Sequence, residues 1–472
     1  MTQAVVVGSG PNGLAAAITL ARAGVQVTVL EAEDVPGGGA RTSEHTVPGL
    51  LHDDCSAFHP TGVISPFFAG LDLHEHGLQW LWPEIDLAHP LPDGRAALLS
   101  RDMDVTVASL DVDGDRWRRV FAPLAADVDA LLDDVFRPLL HVPSHPLRLA
   151  RFGAFSVLPA TVAARLFRDE PARALLTGVA AHLFGRLDVP LTASVGMLLA
   201  SAGHRAGWPV AQGGSGAIAA ALVSVLESYG GQVRTGVRVA DMAQVREVYG
   251  RDPDVLMLDL APEGVLRLVG DTMPLRVRRA YQRFRYGPAA FKVDFAVRGH
   301  VPWTNPDVRR AGTVHLGGTA RQVAAAEAAI ARGEMPQEPF VLVGQQYLAD
   351  PSRSVGDLHP VWAYAHVPHG WTGDATAVIT AQIEKYAPGF TGQVEASFSR
   401  DVAAMTAHNA NYVGGDISAG ANTPWQIVAR PRAALDPYRV GPGTWICSSS
   451  TPPGGGVHGM CGHNAALSVL SA

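Results

Sequence analysis

The stretch Ala4-Val5-Val6-Val7-Gly8-Ser9-Gly10-Pro11-Asn12-Gly13 decides the fold. Its four apolar residues end in glycine and read as a buried parallel strand. Gly8 permits the tight turn out of that strand, Gly10 lets a pyrophosphate approach the backbone, and Gly13 lets the next helix pack on the sheet. Residues 13–23, rich in Ala and Leu, read as that helix, with Gly24 as its stop. Residues 25–30 read as a second strand ending at Glu31-Ala32. Strand, helix and strand within about thirty residues form a mononucleotide-binding unit. The free N–H groups at the helix start, after Ser9, Pro11 and Asn12, face phosphates, and the helix dipole favours their charge. Glu31, 18 residues beyond Gly13, is placed to accept hydrogen bonds from ribose hydroxyls and to repel a 2′-phosphate.

Three more segments extend this reading. Pro36-Gly37-Gly38-Gly39-Ala40-Arg41-Thr42 brings a glycine-lined backbone, through Gly38, Gly39 and Ala40, close to another part of the ligand. Arg41 offers a bidentate partner for a pyrophosphate. Residues 229–239 read as a turn and a strand ending at Val239, after a helix over 213–227. Residues 444–448 read as a strand, followed by a Gly-rich loop and a closing helix: Ser448-Ser449-Ser450-Thr451-Pro452-Pro453-Gly454-Gly455-Gly456-Val457-His458-Gly459-Met460-Cys461-Gly462.

From Val5 to Thr42 the chain resembles the N-terminal FAD fingerprint of the flavin amine oxidase and phytoene desaturase superfamily. Within it, the chain is most similar to the phytoene-dehydrogenase-related oxidoreductases, which include the carotenoid desaturase and isomerase group. One departure is visible: the Arg that commonly follows the double glycine is Gly39 here, and Arg41 comes two residues later. Residues 448–462 resemble the closing flavin motif of the same family.

The resemblance implies an α/β fold. A glutathione reductase-like Rossmann FAD-binding domain (1–70, 205–275 and 412–472) would interleave with an α+β substrate domain (71–204 and 276–411). It implies FAD as cofactor, with Val239 beside the adenine. The N–H groups of Gly455, Gly456, Val457 and His458 would face the N1–C2=O edge of the isoalloxazine. There a helix dipole stabilises the charge of reduction. It further implies a desaturase or dehydrogenase acting on an apolar, polyene- or isoprenoid-like small molecule by hydride transfer to flavin N5. Dioxygen, a quinone or a nicotinamide would reoxidise the flavin. Three other readings share the motifs: a redox-neutral flavin-dependent isomerase, a flavin amine oxidase, and a non-catalytic lipid binder like the GDP dissociation inhibitors.

Residues 116–136, 147–167 and 171–184 have helical periodicity and few acidic groups, and make up the helical part of the second domain, about 116–204. They read as core, or more sharply as an apolar substrate tunnel or a patch lying on a membrane surface. Residues 254–260 read as another apolar strand, closed by Pro262, and later strand-like runs at 290–297, 340–346 and 361–366 alternate with Pro/Gly turns and suggest an antiparallel sheet.

Catalytic candidates are few. His458 precedes the last helix, and His59 follows Cys55 in a run expected to line the ring. Cys461 does not sit in a known flavin-attachment pattern. His366-Val367-Pro368-His369 reads as a turn with two surface histidines, and no metal site is expected.

Composition narrows the classes. The net charge of −7, with no Lys/Arg run, leaves no electrostatic footprint for nucleic acid. Three cysteines, Cys55, Cys447 and Cys461, imply no disulfide framework and fit a reducing, cytoplasmic setting with peripheral membrane contact. A glycine motif ending a buried strand so early leaves no room for a signal peptide, and no apolar run reaches the ~18 residues of a membrane span.

Overall fold

The computed structural model describes residues 2–472. In the first of its two large sheets, Gln3–Val7 lies between two parallel neighbours, Gln26–Leu30 and Val255–Leu258. Gln232–Arg234 extends one side in parallel and Thr444–Ile446 the other, and antiparallel Arg439–Gly441 closes that edge. The three central strands are buried almost throughout, as apolar runs covered on both faces require. Their register sets Val7 beside Leu30 and Leu258. Gly8, Glu31 and Asp259 therefore leave the sheet together at its carboxyl end, where open α/β sheets take ligands.

The helix Pro11–Arg22 starts with proline in its first turn, a position that needs no N–H donor. It packs between Gly216–Ser228 and the last helix, Met460–Leu470. Against the last helix the backbones touch. A Cβ added at Gly462 would stand 1.8 Å from the Asn12 carbonyl oxygen. Asn12 Nδ2 also donates to Ser449 Oγ at 2.9 Å. The first and last stretches of the sequence thus meet over one end of the sheet.

The second sheet has seven strands, in the order Val394–Arg400, Ala289–Arg298, Leu358–Val367, Val341–Gly344, Ala311–Leu316, Ile85–Pro90, Ala96–Leu99. Its pairings are antiparallel, as the strand runs suggest, except that Ala311–Leu316 runs parallel to Ile85–Pro90. Side chains alternate between two cores. Leu342, Trp362 and Tyr364 pack toward helices carrying Trp117, Phe121 and Leu175. Phe291, Phe295 and Val343 pack toward Ile379 and Ile383.

Several elements differ from the sequence expectation. Residues 116–136 form two helices, Gly114–Ala126 and Val128–Val135. Pro123 donates no hydrogen bond within the first, and the Asp127 carboxylate at the break binds Arg148 and Arg151. Residues 147–167 divide into Pro146–Ser156 and Ala160–Ala163, because Leu158 precedes Pro159 and is disfavoured from helical geometry. The strand expected up to Val239 ends at Arg234. Gly236 then takes φ +68°, and the chain turns so that Val237 N–H donates to Glu31 O at 2.7 Å. A short helix, Met242–Glu247, capped by Asp241 and Gln244, then leads toward Val255–Leu258. His366 is not on a surface turn. It is buried in Leu358–Val367, with Nδ1 2.7 Å from Glu327 Oε1. Among the described residues no single helix is long and apolar enough to cross a membrane, although the bent pair Pro146–Ser156 and Ala160–Leu166 together has the length and composition.

The contact at Gly462 is backbone against backbone, so no rotamer change relieves an added side chain. Gly462→Val is expected to destabilise the protein by about 3 kcal/mol. A thermal melt superimposable on the wild type would refute that close approach.

Candidate cofactor and substrate site

A cavity of about 980 Å³ opens from the carboxyl end of the first sheet and continues beneath the second. Gly8, Ser9, Gly10, Pro11 and Asn12 line it, as do Glu31, Ala32, Gly38, Gly39, Ala40, Arg41, Val239, Gly455, Gly456, Val457, His458 and His59. Gly13 does not reach the wall. A Cβ there would strike Gly8 O at 2.2 Å, so its role is the packing of helix on strand.

Ser9 couples the pieces of the dinucleotide end. Its N–H and Oγ donate to Glu31 Oε2 at 2.9 and 2.5 Å, and its carbonyl accepts from Gly37 N–H at 3.1 Å. Glu31 Oε1 accepts from Glu33 N–H at 2.9 Å. The carboxylate is therefore fixed in place, with Oε2 used twice and Oε1 retaining a further lone pair. Arg41 folds back over its own loop. Its Nε donates to Gly38 O at 2.9 Å and its Nη2 to His408 O at 2.7 Å. Gly39, at the position where the resemblance leads one to expect Arg, has a local cause: a Cβ there would lie 2.2 Å from the Tyr412 hydroxyl. Val239 borders the cavity from a loop rather than from a strand.

The two candidate histidines hold different tautomers. Ser215 Oγ donates its one hydrogen to Ser56 O at 2.6 Å, so His59 Nε2–H must donate to Ser215 Oγ at 2.9 Å. His59 Nδ1 is then a bare lone pair with no protein partner. In His458 the roles are reversed. Nδ1 accepts from Met460 N–H at 3.1 Å, which leaves the proton on Nε2. Burial pushes both imidazoles down to about 4, so both are neutral at pH 7. Cys461 is off the wall, its Sγ on the Thr451 and Gly454 carbonyls, while Cys55 lies on it. No group of three or more His, Cys, Asp or Glu residues suited to a metal occurs among the described residues.

Two features escaped the sequence reading. Asp259 follows the strand Val255–Leu258 directly and lies beneath the glycine loop. Its Oδ2 accepts from Gly13 N–H at 3.1 Å, and a Cβ on Gly10 would meet the same oxygen at 2.6 Å. Burial, with Glu31 adding repulsion, lifts its carboxyl to about 7 against the stabilising N–H groups of Gly13 and Gly10. The signal available was an acid closing the apolar run Val255-Leu256-Met257-Leu258. The second is a histidine group at the far end. His182 lines the cavity with Nε2 3.0 Å from His315 Nε2, and His89 stands edge-on to His315 with ring centroids 6.2 Å apart. No spacing marks these three positions in the sequence.

Comparison with known proteins agrees with this geometry. The NAD(P)-binding Rossmann-like domain family matches residues 6–85. A rat protein, pyridine nucleotide-disulfide oxidoreductase domain-containing protein 2, is 27% identical over 565 residues, covering 99% of this chain and 93% of its own. Hydroxyneurosporene desaturase of Cereibacter sphaeroides is 32% identical over 271 residues, covering 54% of this chain and 53% of its own. A solved putrescine oxidase variant superposes with a TM-score of 0.62 at 17% identity, covering 100% of this chain and 98% of that one, a likeness of fold. These likenesses support a phytoene desaturase-like superfamily of FAD-dependent oxidoreductases. They indicate a flavin cofactor, to which the cavity wall would supply binding, orientation and electrostatics.

The raised carboxyl of Asp259 makes a signed prediction. A folded value near 7 lies above the ordinary 3.8, so the folded state keeps a proton that the unfolded chain releases. That contribution is complete below pH 3.8 and is lost as the pH rises through 7. Asp259→Asn is therefore expected to raise the melting temperature of the protein at pH 8, by at most about 4 kcal/mol of stability, and to lose that advantage toward pH 4. Parallel melting curves across this range would contradict the placement of the charge.

Proposed function

We propose that this oxidoreductase binds FAD and dehydrogenates an apolar, polyene- or isoprenoid-like small molecule. When bound, FAD supplies the two-electron acceptor, taking a hydride at N5. The residues fit a long dinucleotide with a ring system: one cavity joins the glycine loop and Glu31 to the loop Gly454–His458, and beyond that loop its wall is mostly apolar. The observation that carries the substrate class is the make-up of this far wall. Phe152, Phe184, Leu198, Leu342 and Trp362 belong to it, whereas among the described residues the wall carboxylates are Glu31, Glu33 and Asp259, all at the dinucleotide end. An ammonium substrate would find no acid to pair with there, which disfavours the amine oxidase reading. His59 Nδ1 is held as an acceptor for a substrate proton, and His458 Nε2–H as a donor at the ring end. Water is excluded by the aromatic and aliphatic wall.

The cavity opens through a greasy rim. Leu139, Val157 and Val428 line it and are also substantially exposed. Nearby in sequence, Val142 and Leu147 are 89% and 86% exposed. Such a rim, with Arg137 beside it, suits peripheral contact with a membrane that stores an apolar substrate. A cytoplasmic location goes with this reading, and dioxygen, a quinone or a nicotinamide is the class of acceptor that closes the cycle.

The protein is expected to purify yellow. Glu31→Ala, which removes both the ribose acceptor and the anchor of Ser9, should weaken FAD binding by about 10–100-fold. A colourless wild-type protein that refuses added FAD would end the reading. Under anaerobic conditions an apolar polyene or isoprenoid should bleach the bound flavin, and addition of dioxygen, quinone or nicotinamide in turn identifies the acceptor. Isomerised product with no bleaching would move the assignment to the isomerase branch. Wild-type protein should float with anionic lipid vesicles, and the double variant Val142→Asp with Leu147→Asp should remain in solution. Equal flotation of the two would remove the membrane role from this rim.

A further inference from the structure

Five cationic side chains are buried in this protein, and four have a carboxylate partner. Arg353 contacts Asp53 and Asp350 at 2.5 and 3.1 Å, Arg400 contacts Asp54 at 3.1 Å, Lys292 contacts Asp294, and Arg41 lies 4.0 Å from Glu33. Arg430, only 4% exposed, has none within 4 Å among the described residues. Its Nε donates to Gln426 O at 3.1 Å and its Nη2 to Asn422 Oδ1. The nearest acid in charge terms, Asp416, is used by the N–H groups of Gly287, Ser418 and Gly420. Of five guanidinium N–H donors, two are taken and three have no protein acceptor.

An uncompensated buried charge is costly, and a protein tolerates one where a ligand completes it. The location says where. Arg430 and Asn422 both line the cavity. A Cβ on Gly454 would stand 3.2 Å from Arg430 Nη1, so the free donors lie against the start of the loop Gly454–His458.

We propose that Arg430, steadied by Asn422, is a receptor for an anionic oxygen inside the cavity beside Gly454. Two sources carry that chemistry: the N1–C2=O edge of the reduced flavin, or a carboxylate at one end of an apolar substrate. Planar guanidinium donors suit either, and both gain strength in a water-excluded site. This inference rests on the FAD reading and adds an assignment to a residue that reading does not use.

The test compares wild-type holoprotein with Arg430→Met and Arg430→Lys. If the anion is the flavin's, Arg430→Met should lower the two-electron midpoint potential by about 30 mV or more, the equivalent of a tenfold shift in relative affinity for the reduced form. Arg430→Lys should recover part of it. If the anion is the substrate's, Arg430→Met should weaken decanoate binding at least tenfold, read from the flavin absorbance, and leave decanol unchanged. Either result supports the receptor and names its ligand. Unchanged potential and unchanged decanoate binding in a folded variant overturn it. Should Arg430→Met not fold, Arg430→Lys and Arg430→Gln carry the same two measurements. A wild-type protein that holds no FAD defeats the flavin reading separately, and the decanoate arm then runs by calorimetry on the colourless chain.

Discussion

Where the carbonyl of Asn12 meets Gly462, two helices separated by almost the whole sequence touch through their backbones. The helix that starts at Pro11 has its N–H groups at the carboxyl end of the first sheet, and the loop before Met460 delivers Gly454–His458 to the same place. A side chain at that crossing would push the second group away from the first. The cavity would then lose its continuity from the phosphate-binding end to the ring-binding end. The Asn12–Ser449 hydrogen bond fixes the rotation of one segment on the other. Everything else in the site, from the tautomer of His458 to the position of Arg430 beside Gly454, inherits its geometry from this crossing.

The dinucleotide end was legible because its chemistry is local. A strand, a glycine turn, a helix and an acid at fixed spacing write their geometry into about thirty consecutive residues. Apolar runs gave the strands Ala289–Arg298 and Leu358–Val367 for the same reason. Long-range pairings were not legible. Nothing near Ile85 announces that it lies parallel to Ala311, and nothing near His182 announces His315. Helix breaks were half-legible: Pro159 is a visible stop, but the interruption at Asp127 depends also on Arg148 and Arg151, which arrive from another helix. The run to Val239 misled because strand periodicity continues past Arg234 while Gly236 turns the backbone. His366 misled in the opposite way, since Pro368 suggested a turn two residues before the strand had finished.

The electrostatics divide the cavity into two regions. At the dinucleotide end, Glu31, Glu33 and Asp259 are matched by Arg41, Arg238 and Arg267. Burial that raises the Asp259 carboxyl to about 7 lessens the negative charge under the glycine loop near neutral pH, which eases the approach of a pyrophosphate. At the ring end stand neutral imidazoles, an unpaired guanidinium and mostly apolar walls.

The ordering of the first sheet has a consequence for how the chain is made. Val255–Leu258 gains its outer parallel neighbour only from Thr444–Ile446, nearly two hundred positions later in synthesis. Until the ribosome has released that segment, an apolar strand has one open side, an invitation to pair with the wrong chain. Nascent protein of this architecture therefore carries that open side while the five later strands of the second sheet, Ala289–Arg298 to Val394–Arg400, are translated.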